Sequence, residues 1–203
     1  MRPYILIPCK SLTDGKSRLA TILPAAERQA LCRRLLRNSL ALALALQSVG
    51  GVRVVTPDPE AGAIAAALGV AMIDDGGAGL NEALHRARAG ILDESGGEAA
   101  VLILPIDLPY ATADAVSRAI AGDFDIVVAP DSERRGTNLL YVGSRALRAF
   151  SFAFGPDSFP AHWNWAKRTG FSVETLDDPR LAFDVDRPED YERWQRATAG
   201  ASG

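Results

Sequence analysis

Residues 101–109 read VLILPIDLP, an apolar run that leads into an aspartate flanked on each side by a proline two positions away. Four consecutive large aliphatic residues predict a strand buried on both faces of a sheet, as is typical of parallel sheets in α/β proteins. Asp107 follows this strand directly, so we expect its carboxylate at the carboxyl end of the sheet, where such proteins bind ligands. The stretch therefore predicts both the fold class and the place of the site.

On either side of this strand, apolar runs alternate with helical patterns along most of the chain. Leu and Ala alternate over residues 40–46, and because both are strong helix formers without β-branching, a helix is predicted there. The predicted strands are 4–7, 52–56, 70–73, 101–104, 125–129, 138–142 and 172–176. The predicted helices are one from Pro24 to the pair Gly50-Gly51, then 60–68, 80–92, 112–121, 144–150, 158–169 and one from Pro188.

The alternation predicts an α/β fold with three layers, in which helices cover both faces of a mostly parallel, Rossmann-like sheet. The strands at 125–129 and 138–142 are too close in sequence for a crossover helix, so they predict one antiparallel insertion. A single domain is expected over residues 1–197, with a disordered tail over 198–203.

Charge and hydrophobicity exclude several classes of protein. The chain has 22 Lys and Arg against 25 Asp and Glu, which argues against a surface for nucleic acid or an anionic membrane. Its longest apolar run, 40–46, is far short of the roughly 20 residues of a membrane span. The start, MRPYILIP, is too short and wrongly flanked for a secretory signal. We therefore expect a cytoplasmic enzyme or binding domain.

Three cations follow the first predicted strand: Lys10, Lys16 and Arg18 lie within nine residues, around Gly15. Backbone N–H groups and point charges at the carboxyl end of a strand suit a polyphosphate. The segment has neither the P-loop spacing nor G-x-G-x-x-G. The alternative interpretation is a solvated polar loop.

Two further aspartates, Asp184 and Asp186, lie two positions apart, so in an extended segment they share one side. Asp107 and this pair supply carboxylates from two separate segments of the chain, with no histidine among the candidate ligands. This pattern indicates oxygen ligands for Mg²⁺. In the alternative interpretation Asp107 is a turn or N-cap aspartate and Asp186 caps the helix that Pro188 opens.

Two segments have the character of a small-anion site. Thr137 follows Gly136 at the start of a predicted strand, and Gly155 precedes Ser158 at the start of a predicted helix. The second segment is also an ordinary capping sequence. Asn81 follows a glycine-rich loop at 76–79, whose flexible backbone can approach a ligand closely.

The histidines and cysteines are interpreted as structural residues. His85 lies in a polar helix and His162 beside two tryptophans, so surface or packing roles are expected. Cys9 and Cys32 are expected to be packed thiols, because no histidine is near either of them in the sequence and two cysteines cannot make a disulfide framework.

Six motifs occur in order: PxKxLxxxKSRL at 8–19, GLNxAL at 79–84, LPxDLP at 104–109, GTN at 136–138, FGPDSF at 154–159 and DVDxPxD at 184–190. Together they resemble the guanylyltransferase family that activates 2-phospholactate, phosphoenolpyruvate or 3-phosphoglycerate in biosynthesis of the deazaflavin redox coenzyme. The similarity covers about residues 4–195 and implies a nucleotidyltransferase fold like that of molybdopterin guanylyltransferase.

The resemblance also implies roles for single residues. Phospho-acid contacts fall on Thr137, Gly155 and Ser158, and metal ligands on Asp107, Asp184 and Asp186. The GTP triphosphate falls on Lys10, Lys16 and Arg18, with Asn81 as a nucleoside contact and with Lys16, Arg18 and Asp107 as catalytic residues. A nucleotidyltransferase for a sugar phosphate or molybdopterin, and a catalytically silent nucleotide-binding module, are the alternatives. The sequence leaves open the acceptor acid and whether the chain forms a homodimer.

Overall fold

The computed structural model describes residues 2–74, 76–77 and 79–200. Its strands are β1 Tyr4–Pro8, β2 Gly51–Val55, β3 Ala71–Ile73, β4 Val101–Ile103, β5 Ile126–Pro130, β6 Thr137–Val142 and β7 Val173–Thr175. Its α-helices are α1 Ala25–Ala45, α2 Pro59–Ala66, α3 Leu80–Glu94, α4 Ala113–Ala121, α5 Ser144–Leu147, α6 Ser158–Thr169, α7 Pro179–Ala182 and α8 Pro188–Gly200. A 3₁₀ helix, Ser17–Thr21, follows the loop after β1.

The seven strands form one sheet in the order β3-β2-β1-β4-β6-β5-β7. Strand β6 pairs antiparallel with both β4 and β5, whereas the other neighbouring strands pair in parallel. The prediction of a mostly parallel sheet with one antiparallel insertion is therefore confirmed. The chain order reverses between β1 and β4, which creates a crevice at their carboxyl ends.

Helices cover both faces of this sheet, as predicted. Successive residues of β1 alternate between the two faces: Ile5 and Ile7 pack with α1, α2 and α4, whereas Leu6 packs with α3, α5 and α6. All three side chains are fully buried, because every face of a central parallel strand lies under a helix. The hydrophobic effect on both faces thus holds the strand ends, and the loops that follow them, in place.

A third, smaller cluster lies beside the crevice. Leu19 of the 3₁₀ helix packs with Leu35 of α1, Val185 and Trp194 of α8. Because this cluster joins the segment after β1 to the segment before α8, it fixes two sequence-distant regions against each other.

Two short elements were not predicted, the 3₁₀ helix and α7. Helix α7 begins with a recognisable signal, since Asp178 accepts a hydrogen bond from the backbone N–H of Arg180 and Pro179 occupies the first turn. Helix α8 continues to Gly200, so residues 198–200 of the expected tail are helical, and 201–203 lie outside the described residues.

The two cysteines lie in the interior of the protein. Cys9 and Cys32 are buried thiols, and burial, followed by the nearby Cys32, raises the pKa of Cys9 to about 12. The prediction that they are packed residues is confirmed.

Within residues 2–74, 76–77 and 79–200, none of the helices combines the length and hydrophobicity that a bilayer span requires.

Candidate active site

The side chain of Lys16 lies between two aspartates at the carboxyl edge of the sheet. Its Nζ donates to Asp107 Oδ2 at 2.9 Å and to Asp186 Oδ1 at 2.8 Å. Lys16 has φ 52°, an uncommon left-handed backbone for a lysine, and its side chain is 7% exposed. Burial opposes the charge of its ammonium group, but Asp107 and Asp186 outweigh that effect and raise the pKa of Lys16.

Asp107, Asp184 and Asp186 converge in space. Asp107 follows β4, and its carbonyl oxygen accepts a 3.0 Å hydrogen bond from the backbone N–H of Val185. Val185 is fully buried, and the aspartates on either side of it converge with Asp107. One carboxylate oxygen from each aspartate lies within 4.8 Å of the other two.

The electrostatics of the three carboxylates favour a cation. Burial, with the negative charges of Asp107 and Asp186, raises the pKa of Asp184 to about 6. Burial also opposes ionisation of Asp186, but Lys16 and Arg18 outweigh it and lower the pKa of that carboxyl. A donor set of carboxylate oxygens suits a hard divalent cation.

Two residues that sequence reasoning missed hold these aspartates. The amide of Asn138 in β6 donates to Leu181 O at 2.9 Å and to Asp184 Oδ1 at 3.4 Å. Asp190 Oδ2 accepts from the backbone N–H of Arg187 at 2.8 Å, at the start of α8. Because Asp190, and not Asp186, accepts from the backbone at the start of α8, the carboxylate of Asp186 is available to pair with Lys16 and Arg18.

The loop after β1 is anchored by Asp58, a residue that sequence reasoning also missed. Its Oδ2 accepts from the backbone N–H of Leu12 at 2.7 Å, and its Oδ1 accepts from Glu60 N at 2.8 Å at the start of α2. A position between β2 and a helix-opening proline is the sequence signal that could have found it. A single carboxylate thus fixes the loop and caps a helix.

The three predicted triphosphate residues differ in their surroundings. Arg18 is exposed and its guanidinium donates to Asp186 Oδ2 at 3.0 Å. Lys10 is exposed, and its side-chain ammonium group makes no hydrogen bond or ion pair with any residue that the structure describes. Lys16 is the buried member of the set, and Arg18 shares Asp186 with it.

Thr137 and Ser158 begin β6 and α6, and these two element starts are joined. The backbone N–H of Phe159 donates to Arg135 O at 3.0 Å, and Thr137 Oγ1 lies 3.0 Å from Nδ1 of the buried His162. Gly155 has φ +141°, a backbone region that other residues rarely adopt. The predicted phospho-acid residues therefore surround one small region.

The alternative interpretation of Ser158 as a helix cap is not what the structure shows. The N-cap of α6 is Asp157, and no side chain makes a capping hydrogen bond there. Ser158 is buried, and its hydroxyl forms no hydrogen bond within the described part of the chain. The hydroxyl is therefore available to a ligand.

Asn81 is fixed by the segment that leads to Gly155. Its Nδ2 donates to Phe154 O at 2.9 Å, and its Oδ1 accepts from Phe154 N at 2.7 Å. The side chain therefore fixes the backbone of Phe154, next to Gly155, and its expected contact with the nucleoside stays a prediction.

The site residues fall into two groups, one charged and one uncharged. The first group consists of Asp107, Asp184, Asp186, Lys16 and Arg18. The second consists of Thr137, Gly155, Ser158 and Asn81. Asn138, adjacent to Thr137 in β6, contacts Asp184 and so connects the two.

A Rossmann-like sheet with cations and clustered carboxylates at its switch point is suited to bind a nucleotide or another charged ligand. The fold is similar to that of a nucleotidyl transferase from Methanothermobacter, with a TM-score of 0.67 at 15% identity over 98% of this chain and 99% of that one. It is also similar to 4-diphosphocytidyl-2C-methyl-D-erythritol synthase from Anaerococcus prevotii, with a TM-score of 0.65 at 10% identity over 97% of this chain and 96% of that one.

The chain belongs to the family described as "Guanylyl transferase CofC like", which matches residues 3–194. It is 38% identical to the phosphoenolpyruvate guanylyltransferase of Rubrobacter xylanophilus over 198 residues, covering 95% of this chain and 93% of that protein. It is also 38% identical to the 3-phospho-D-glycerate guanylyltransferase of Phenylobacterium zucineum over 192 residues, covering 92% and 86%. The resemblance drawn from the six motifs is confirmed.

Proposed function

We propose that this enzyme joins GTP to a three-carbon phospho-acid in the biosynthesis of the deazaflavin coenzyme. The acceptor is phosphoenolpyruvate, 2-phospholactate or 3-phosphoglycerate, and the products are a guanylyl-diphospho-acid and pyrophosphate. The observation that carries the proposal is the placement of Lys16 between Asp107 and Asp186, beside the region of Thr137 and Ser158. The names of the relatives, which cover two of these acids, support it.

Asp107, Asp184 and Asp186 would hold the metal ion, for which we propose Mg²⁺. When bound, the ion would neutralise phosphate charge and help to align the triphosphate for displacement. Lys16 is attracted to the same carboxylates in the protein alone, so we expect its ammonium group to transfer to the phosphates when GTP and the metal arrive.

In the reaction, a phosphate oxygen of the acid bonds to the α-phosphorus of GTP, and the bond from that phosphorus to the departing pyrophosphate oxygen breaks. The attacking phosphate is already anionic at pH 7, because its second pKa is about 6, so no side chain has to remove a proton. Lys16, Arg18 and Lys10 neutralise the charge that collects on the leaving pyrophosphate.

Thr137, Gly155 and Ser158 orient the acid. Two hydroxyl groups and a glycine backbone offer hydrogen-bond donors without charge, which suits a small anion whose charge is neutralised elsewhere. Asn138 links this region to Asp184, so the acid phosphate is held near the carboxylate cluster.

The test is pyrophosphate release from GTP and Mg²⁺ with each of the three acids in parallel, and with a sugar phosphate and molybdopterin as competing acceptors. We expect turnover with at least one three-carbon acid and a preference for GTP over ATP, CTP and UTP. Turnover only with a sugar phosphate or molybdopterin would assign the protein to another nucleotidyltransferase reaction. Nucleotide binding without pyrophosphate release would indicate a silent binding module.

A further inference from the structure

His162 is fully buried in α6, although its neighbours in sequence suggested only a packing role. It lies four residues after Ser158, so both side chains project from one face of the helix. The rings of Phe150 and Phe154 pack on the imidazole, with centroids at 5.6 Å and 5.0 Å. The ring is therefore held in one orientation beside the region assigned to the acid.

Both ring nitrogens of His162 have a partner, and the partners determine where the proton lies. The backbone N–H of Ala153 donates to Nε2 at 3.0 Å, and Nδ1 lies 3.0 Å from Thr137 Oγ1. A backbone N–H cannot accept, so Nε2 has to be the unprotonated acceptor. Burial lowers the pKa of His162 to about 4, so the ring is neutral near pH 7 and its single proton is on Nδ1.

This tautomer fixes the direction of the Thr137 hydroxyl. The oxygen accepts from Nδ1–H of His162, so the hydroxyl hydrogen has to be donated elsewhere. Thr137 Oγ1 makes no second hydrogen bond to any residue that the structure describes, although the residue is only 7% exposed. A buried donor without a partner is costly, and an anionic oxygen of a ligand would satisfy it.

We propose that His162 is a positioning residue that makes Thr137 an obligate hydrogen-bond donor to the phospho-acid. This inference rests on the proposed function, because it takes the acid to be the ligand at Thr137. The same imidazole holds the N–H of Ala153, while Asn81 holds both backbone groups of Phe154. His162 and Asn81 thus fix the segment before Gly155 from two directions.

The first experiment reads the tautomer directly in the ligand-free protein. Imidazole ¹⁵N shifts from two-bond ¹H–¹⁵N spectra at pH 7 distinguish a protonated Nδ1 from a protonated Nε2. The chain has two histidines, so a His85→Gln variant assigns the signals. We expect His162 to carry its proton on Nδ1, and a proton on Nε2 or a charged ring would overturn the inference.

The second experiment measures acid and nucleotide use separately. Thr137→Val and His162→Phe should each raise the KM for the acid about 10- to 100-fold, the value of a hydrogen bond to a charged group. The Kd for GTP should change less than about 2-fold, because the nucleotide is bound by other residues. In the double variant the KM should match that of the poorer single variant, since both remove the same hydrogen bond. If instead the KM of the double variant rises by the product of the two single increases, His162 does not act through Thr137.

Conservative variants separate positioning from packing. His162→Asn can place an amide N–H near the position of Nδ1, whereas His162→Gln places its amide nearer to Nε2, so only the Asn variant should recover acid use. Equal loss in both variants, with Thr137→Val unaffected, would overturn the inference. The His85→Gln protein should retain wild-type kinetics.

The outcomes also separate this inference from the proposed function. If the wild-type protein releases no pyrophosphate with any of the three acids, the proposed function fails. The tautomer measurement needs no turnover, so it supports or overturns the orientation of Thr137 in that case as well.

Discussion

Lys16 and Asp107 lie 91 positions apart in the chain and form a 2.9 Å ion pair at the carboxyl edge of the sheet. Asp107 follows β4 and Lys16 follows β1, and these strands are neighbours in the sheet although they are distant in sequence. The ion pair therefore lies at the point in the sheet where the strand order reverses.

Replacing Asp107 with Asn should leave the fold intact and remove most turnover. The amide keeps the shape of the side chain but loses the charge that would hold Mg²⁺ and pair with Lys16. Circular dichroism and Mg²⁺-dependent pyrophosphate release measure the two properties. A folded Asp107→Asn protein with unchanged Mg²⁺-dependent activity would remove Asp107 from the proposed metal site.

Lys16→Ala should lower kcat/KM by about 100-fold or more, or about 2.7 kcal/mol of transition-state stabilisation. Arg18→Ala should act in the same direction. Lys167→Ala, which removes a lysine from a cation–π contact with Trp163 in α6, is the matched control and should leave GTP kinetics unchanged. Normal GTP turnover in both the Lys16 and Arg18 variants would mean that the loop is a solvated turn and does not bind the triphosphate.

Ser158→Ala should change acid use without changing stability. The hydroxyl caps no helix in the structure, so the Tm should move little, whereas the KM for the acid should rise about 10- to 100-fold. Thermal unfolding and steady-state kinetics on the same protein check both values. A lowered Tm with an unchanged KM would mean that the serine supports the helix and not the ligand.

Asp58→Ala should lose stability and GTP use together. The carboxylate caps α2 and also holds Leu12 N in the loop after β1, so its loss should cost about 1–2 kcal/mol and raise the KM for GTP. Thr112→Ala removes the cap of α4, which lies outside that loop, and should lower the Tm with normal KM values. If the two variants behave alike, Asp58 does not position the loop.

Stability should depend on pH through His162. Its folded pKa, about 4, lies below the ordinary value of 6.5, so the unfolded chain binds more protons between these values. The contribution is complete above pH 6.5 and is lost as the pH falls toward 4, by about 3 kcal/mol in total. Urea unfolding across this range measures the free energy of unfolding of the wild type and of His162→Phe. The wild-type value minus the variant value should decrease as the pH falls.

The comparison between those two proteins is necessary because Asp184 titrates in the opposite sense. Its raised pKa, about 6, stabilises the folded state at low pH and the effect fades as the pH rises. The wild-type profile contains both effects, whereas the difference between the proteins isolates His162. A constant difference from pH 4 to 7 would contradict the assigned pKa shift.

The fold was predictable because its signals are local. Strands such as 101–104 are continuous apolar runs bounded by prolines or glycines, and no tertiary information is needed to recognise them. The spacing of Asp184 and Asp186 likewise predicted that both side chains share one side of an extended segment. The structure shows both aspartates facing Asp107.

The hydrogen-bond partners of the site were not predictable in this way. A surface or packing role was expected for His162, and it does pack among aromatic rings, but the sequence does not show that its Nδ1 contacts Thr137, 25 positions away. Asn81 was assigned to the nucleoside, and the structure pairs it with Phe154. Such pairings depend on which helix covers which strand end, and that is determined only when the sheet assembles.

The reversed direction of β6 has a consequence for how specificity can evolve. Because β6 runs against β4, its first residue, Thr137, lies at the edge where the parallel strands end. Under the proposed function, the acceptor would be bound at the beginnings of β6 and α6, and the triphosphate at the loop after β1. In that arrangement, substitutions at the beginnings of β6 and α6 would change the acid that is accepted and leave the loop after β1 intact, so acceptor specificity would evolve separately from nucleotide binding.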